Sequence, residues 1–228
     1  MFAGHVGAGL AFGSADRSIN VGVFVAAALL LDALLWSFVL LGWESVALPA
    51  DFARSHQARY VFPYSHGLAA AIAWSVAVGT ACFFGWRRRA KGALRAGLLV
   101  GAAVFSHWAL DAAVHAPELP VAGADSAKVG LWLWRDMPAA LCIEALLVIA
   151  GILLYLRGAR LTRARSSAIA LLSLLILAFT VAGMTIAPAP PSTTAMAASS
   201  LATLAVVGAL SFWLGRAAAR TARTHPER

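Results

Sequence analysis

Charge is the scarcest commodity in this chain. Only 12% of its 228 residues are Asp, Glu, Lys or Arg, where an ordinary soluble domain has about 25%. Hydrophobic residues make up 61%, above the roughly 45–50% of soluble domains, so the composition excludes that class and is that of a membrane protein. Cysteine is nearly absent. Cys82 and Cys142 both lie within apolar runs, which supports neither a disulfide framework nor a thiolate metal site. No internal repeat is visible, so the inverted-repeat signature of many secondary transporters is missing. The opening MFAGHVGAGLAFG lacks a basic segment and a cleavage pattern, and is expected to belong to the fold rather than to a cleaved signal peptide. A net charge of +8 would point to nucleic acid in a soluble protein. Here it reads as basic cytoplasmic loops, and no nucleic-acid partner is expected.

What is there is long apolar sequence. A membrane span needs about 20 apolar residues, and six stretches qualify: about 20–43, 66–86, 95–116, 131–156, 168–187 and 193–215. The fold expected is an all-α, polytopic membrane helix bundle. Residues 1–15 are too short to cross at about 1.5 Å per residue, and read as a short half-inserted or re-entrant helix packed against it. One integral membrane domain covers 1–228: a motif-bearing core over 1–156, then two more spans and a basic tail over 157–228. Membrane lipids are the surroundings this implies.

The basic residues give the orientation. Fourteen of the eighteen lysines and arginines fall at Arg17, in the loops after spans two and four, and in the tail. They are Arg87, Arg88, Arg89, Lys91 and Arg95; Arg157, Arg160, Arg163 and Arg165; and Arg216, Arg220, Arg223 and Arg228. Only Arg54, Arg59, Lys128 and Arg135 fall on the other side. The positive-inside rule then puts the C-terminus in the cytoplasm, in what reads as a bacterial inner membrane.

Polar residues within the apolar runs are the functional signal. His107, Asp111 and His115 follow one another at intervals of four, a spacing that puts all three on roughly one helix face. A charge at the bilayer centre costs about 2.5–3.5 kcal/mol even on insertion scales, so partners are expected. Counting from the cytoplasmic end of each helix, His5, Asp32, His107 and Glu144 all lie twelve residues in, or about 18 Å at the helical rise. His115 and His66 lie nearer the outer face. His66 reaches the same level only if the start of its span is tilted or unwound, as the preceding Pro63 permits. No lysine or arginine at that depth offsets the three carboxyl groups. Imidazole nitrogens and carboxylate oxygens are what Zn²⁺ and similar divalent cations bind when thiolates are absent. A metal would resolve the charge problem, and so would protonated carboxyls in a proton path. His56 and His225 read as solvated.

Four motifs, GHVGAGLAFG at His5, LLDALLW at Asp32, FPYSHGL at His66 and SHWALDAAVHAPELP at His107, together resemble the bacterial membrane-bound metal-dependent hydrolase family (the YdjM type). More distantly, the His107–Asp111 step resembles zinc-dependent phospholipase C and P1-type nucleases. The resemblance runs from about residue 5 to residue 144. It implies a zinc-type divalent metal held by His5, Asp32, His66, His107, Asp111, His115 and Glu144. Two departures stand out: residue 67 is Gly where the family often has Ser or Thr, and GLWLWRDMPAALCIE lacks polar residues often found upstream of the glutamate.

The reaction this implies is metal-assisted hydrolysis of a phosphoester of a lipid or lipid-linked substrate. Asp111, Asp32 or Glu144 would serve as the catalytic carboxylate, with Asp111 or Asp32 bridging metals or taking a proton. Arg54, Arg59 and Arg135 on the outer side are candidates for gripping phosphate bidentately. Two other classes fit the same cluster. One is a small transporter or permease using it as an ion or proton path; the other is a scaffold whose buried polar groups glue helices together.

Overall fold

The computed structural model describes residues 1–87, 92–159 and 161–224, with side chains in the last helix as far as residue 216. In chain order the elements are α1 (Phe2–Ala15), α2 (Val21–Ala28), α3 (Leu30–Leu41), β1 (Ser45–Ala47), α4 (Phe52–Ser55), β2 (Arg59–Val61) and α5 (Leu68–Trp86). Then come α6 (Ala93–Val114), β3 (Leu119–Pro120), β4 (Lys128–Val129), α7 (Met137–Leu156), α8 (Arg163–Thr185) and α9 (Thr193–Thr224). The chain is an all-α bundle carrying two small antiparallel ribbons, β1–β2 and β3–β4. Among the described residues, α5, α6, α7, α8 and α9 are each long and apolar enough to cross a membrane, and α2 with α3, bent by 50°, are so when taken together as a pair. Such a set of helices makes this an integral membrane protein.

The bend was not visible in the sequence. Residues 27–31, Ala-Ala-Leu-Leu-Leu, contain no proline or glycine, the usual causes of a kink. The cause is a side chain inserted in the helical ladder: the carbonyl of Ala28 accepts a hydrogen bond from His107 Nδ1 at 2.7 Å. Helix α2 ends there, and α3 begins with Asp32 in its first turn.

Element starts also moved from the apolar runs. Helix α7 begins at Met137, not near 131, because the Asp136 carboxylate caps it by accepting from Ala139 N at 3.2 Å. Thr162 caps α8, accepting from Arg165 N at 3.4 Å, and so starts it at Arg163. Helix α5 starts only at Leu68, leaving His66 in the preceding turn. That turn requires Gly67, since a Cβ there would lie 2.6 Å from the Pro63 carbonyl oxygen.

Helix α1 lies inside the bundle, packed on α7, α2, α6 and α8, with His5, Val6 and Leu10 buried. Glycine makes the approach possible. A Cβ on Gly7 would stand 2.5 Å from the carbonyl oxygen of Leu147, and one on Gly151 would run into Gly7 itself. One end of the bundle gathers basic side chains. Arg95 donates to the Ala15 carbonyl (2.7 Å) and Arg165 to that of Leu214 (3.2 Å), while Asn20 ties α2 to the Phe212 carbonyl (2.9 Å). Arg88, Arg89, Lys91, Arg160, His225 and Arg228, and the side chains of Arg220 and Arg223, lie outside the described residues.

Candidate metal centre

Three side chains from two elements meet at the heart of the site. His107 and Asp111 project one turn apart from α6, and His66 reaches them from the turn before α5. His66 Nε2 lies 3.1 Å from His107 Nε2 and 3.3 Å from Asp111 Oδ2, and His107 Nε2 lies 3.2 Å from Asp111 Oδ2. All three residues are buried.

Their other bonds fix what these atoms offer. His107 Nδ1–H donates to the Ala28 carbonyl, which can only accept. Ser65 Oγ donates to Glu44 Oε2 at 2.6 Å, so it accepts from His66 Nδ1–H at 2.8 Å. With both Nδ1 protons committed, a neutral imidazole at either position presents a bare Nε2 lone pair. The triangle then consists of three acceptors and no donor. It requires an added positive charge, either an extra proton on one ring or a bound cation.

The donor set fits a cation. Metal–nitrogen bonds of about 2.0–2.1 Å in a tetrahedral site imply donor–donor edges of roughly 3.3–3.4 Å, close to the edges found. Metal-binding histidines usually donate their second N–H to a carboxylate, carbonyl or hydroxyl partner, as His66 and His107 do here. A second triad of ligand atoms, from His5, Asp32 and His107, overlaps the first.

The other residues expected at the site divide. His5, on α1, stacks on the His107 ring (centroids 3.7 Å apart) and donates through Nε2 to Asp111 Oδ1 at 3.1 Å. Its buried Nδ1 has no hydrogen-bond partner among the described residues. The Met1 ammonium donates to the same Asp111 oxygen at 3.3 Å. Asp32 Oδ1 lies 3.7 Å from His107 Nε2 and 3.8 Å from His66 Nε2; its side chain is 22% exposed against 3% for Asp111.

His115 does not continue the face of α6, because it is the C-cap with extended backbone. The chain still returns its Nε2 to 3.9 Å from Asp111 Oδ2. Glu144 is buried but stands outside both triads, its Oε2 accepting from Gly4 N at 3.1 Å. A carboxylate at the start of α1 is favoured by the helix dipole, so Glu144 seats the helix that carries His5.

The arginines are not brought to the site. Arg54 is 88% exposed beside Asp51, Arg59 and Arg135 are also exposed, and none of the three lines the cavity. His56, expected to be solvated, is instead partly buried in the cavity wall.

Two glutamates escaped the sequence reading. Glu44 is buried and accepts from Tyr64 N and Ser65 N (2.8 Å each) as well as from Ser65 Oγ. Glu118 accepts from His115 Nδ1 at 2.7 Å and from Tyr60 N at 3.3 Å, tying β2 to the end of α6. Its spacing of three from His115 is a legible signal. Glu44 had none, because its partner lies twenty-one residues away.

A cavity of about 570 Å³ opens onto Asp32, His66, Asp111, His115 and Glu144. Aromatic rings form its outer wall: Trp134 tilts over His115 with centroids 4.2 Å apart, and Tyr60 and Phe62 meet His115 edge-on. Burial, then the carboxylates of Glu118, Asp32 and Asp111, push the Tyr60 phenol above its ordinary pKa. It remains a neutral donor at physiological pH. No protein-family model, curated protein or solved structure matches this chain.

Proposed function

We propose that the protein is a metal-dependent hydrolase embedded in the bacterial inner membrane, acting on a phosphoester of a lipid or lipid-linked substrate. The observation that carries this reading is the triangle of His66 Nε2, His107 Nε2 and Asp111 Oδ2, three acceptors within 3.1–3.3 Å of one another at the wall of a large cavity. The motif resemblance to membrane-bound metal-dependent hydrolases supports the reaction class. Two nitrogens and one oxygen favour zinc among the common divalent ions. The fourteen-to-four division of basic residues supports a cytoplasmic C-terminus.

His66, His107 and Asp111 would hold the ion, with His5 and Asp32 offering a second seat beside it. When bound, a divalent cation supplies Lewis acidity and a nucleophilic water at neutral pH. The chain's own groups supply the rest. Asp32 is the most exposed carboxylate of the cluster, and neither of its oxygens accepts a hydrogen bond among the described residues, so it is the group placed to take a proton. The Tyr60 phenol is a neutral donor for a phosphoryl oxygen, a role for which no arginine is present. Trp134, Tyr60 and Phe62 keep bulk water off His115 and His66.

Elemental analysis of detergent-purified protein tests the reading, beside His107→Ala and Asp111→Asn, followed by assay on phospholipids and generic phosphodiesters. Bound metal in the parent, its loss in both variants and metal-dependent phosphoester cleavage are expected. A parent without metal, and variants indistinguishable from it, would sink the proposal.

One observation favours the ion-path alternative. The broken span α2–α3 brings Asp32, and the Ala28 carbonyl that holds His107, to the site, and discontinuous helices commonly build ion sites in transporters. Proton or metal flux into liposomes, without phosphoester turnover, would favour that reading.

A further inference from the structure

The cavity does not end at the polar cluster. It continues to the outer halves of α8 and α9, where Phe179, Gly183 and Met184 face Met196, Ser200 and Leu204. The two helices are joined by the short connection 186–192, yet leave this gap between them. From the chemistry of its walls, we propose that the gap is a slot for one hydrocarbon chain of a membrane lipid whose polar head reaches Asp111. The slot deepens the hydrolase reading and rests on it only for what happens to that head.

Four hydroxyl residues, Thr180, Ser199, Ser200 and Thr203, also line the gap, and would be expected to make it wet. Three of the four have already spent their protons. Thr180 donates to the Ile176 carbonyl (2.9 Å), Ser199 to that of Met196 (3.0 Å) and Thr203 to that of Ser199 (2.9 Å), each within its own helix. Those three offer the slot no free proton. That leaves the Ser200 hydroxyl as its one uncommitted donor among the described residues, whereas a buried water needs about two to four polar partners. Gly183 is exposed and a Cβ built on it meets no atom within 4 Å, so the gap is open at this point.

Both helices are membrane spans. Their outward faces carry exposed Leu174, Leu175, Val206 and Leu210, so hydrocarbon lies immediately outside the gap. A water-soluble phosphoester would need a polar approach with fixed cations, whereas no arginine or lysine lines any part of the cavity among the described residues. An amphiphile moving sideways out of the bilayer needs none. Its chain exchanges one apolar surrounding for another, and only the head must be desolvated.

The test uses the full chain in vesicles of phosphatidylethanolamine and phosphatidylglycerol, doped with a phosphatidylglycerol carrying a mid-chain diazirine. After photolysis, label is mapped by peptide mass spectrometry. Label is expected around Met184 and Met196, above that at the lipid-facing Val76 and Leu98. Gly183→Leu and, independently, Ser200→Phe should cut the slot label by roughly tenfold or more, the scale on which filling an apolar pocket discriminates.

Label spread evenly over the lipid-facing helices, or unchanged in both variants, overturns the slot. Metal content measured on the same samples separates the two readings. Slot label on a metal-free parent would sink the hydrolase and leave the slot standing, and a metal-loaded parent without slot label would do the reverse.

Discussion

His66 and His107 point the same kind of atom at each other: their Nε2 nitrogens stand 3.1 Å apart, each ring having committed its Nδ1 proton to a fixed acceptor. Two bare lone pairs at that distance repel. Asp111 adds a carboxylate oxygen to both rather than relieving them. The Met1 ammonium and His5 answer Asp111 Oδ1, but nothing among the described residues donates into the space between the two rings and Oδ2.

Metal should therefore stabilise the fold. Thermal unfolding in detergent after chelation is expected to shift upward as zinc is returned, by about 2.7 kcal/mol of stability at a hundred times the dissociation constant. His66→Ala and His107→Ala should abolish the shift. Loading should weaken as pH falls, because protons and the cation compete for the same lone pairs. A zinc-insensitive midpoint in the parent contradicts the assignment of these ligands.

Ser65→Ala removes the acceptor that holds the His66 proton on Nδ1. Metal affinity is expected to fall about 10–100-fold, the usual cost of losing such a partner, with Ser65→Thr retaining more of it. Glu44→Gln should act in the same direction through Ser65. Competition with a chromogenic chelator measures each. Affinity unchanged in all three variants would mean that the hydrogen-bonded chain from Glu44 does not orient the ring.

The seat of α1 gives a stability contrast between two glycines. Gly7→Ala forces a methyl against the Leu147 carbonyl and should destabilise by about 1–3 kcal/mol, as overpacking does. Gly85→Ala, on a face of α5 where a Cβ meets nothing within 4 Å, should be neutral or stabilising by up to about 1 kcal/mol. Unfolding midpoints in detergent report both. Equal effects would mean that α1 is not held as tightly as its packing indicates.

Arg54→Ala, Arg59→Ala and Arg135→Ala are expected to leave metal content and any phosphoester turnover unchanged, because these side chains lie outside the cavity. Loss of turnover with metal retained would show that the outer loops bring an arginine inward during the reaction.

The apolar runs made the helix count legible, and a four-residue step made His107 and Asp111 legible as a pair. Depth counting brought His5 and Asp32 to the right level, because helical rise is the same in every span. Contacts between distant stretches could not be read this way. The bend at Leu29 comes from a histidine seventy-nine residues away, and no local propensity encodes it. Glu144 was expected at that same level, and its carboxylate is taken by the Gly4 amide. The outer arginines were near the site in loop order, yet their side chains are exposed and do not line the cavity.

The bare walls of the cavity impose an order of events. Asp32, Asp111 and Glu144 face it, and the cation set against them among the described residues is the Met1 ammonium, 3.3 Å from Asp111 Oδ1. An anionic ester arriving first would meet three carboxylates against that single ammonium, so a cation is expected to dock before it. Inorganic phosphate should therefore bind the loaded protein and ignore the chelated one, leaving the metal supply as the gate on everything downstream.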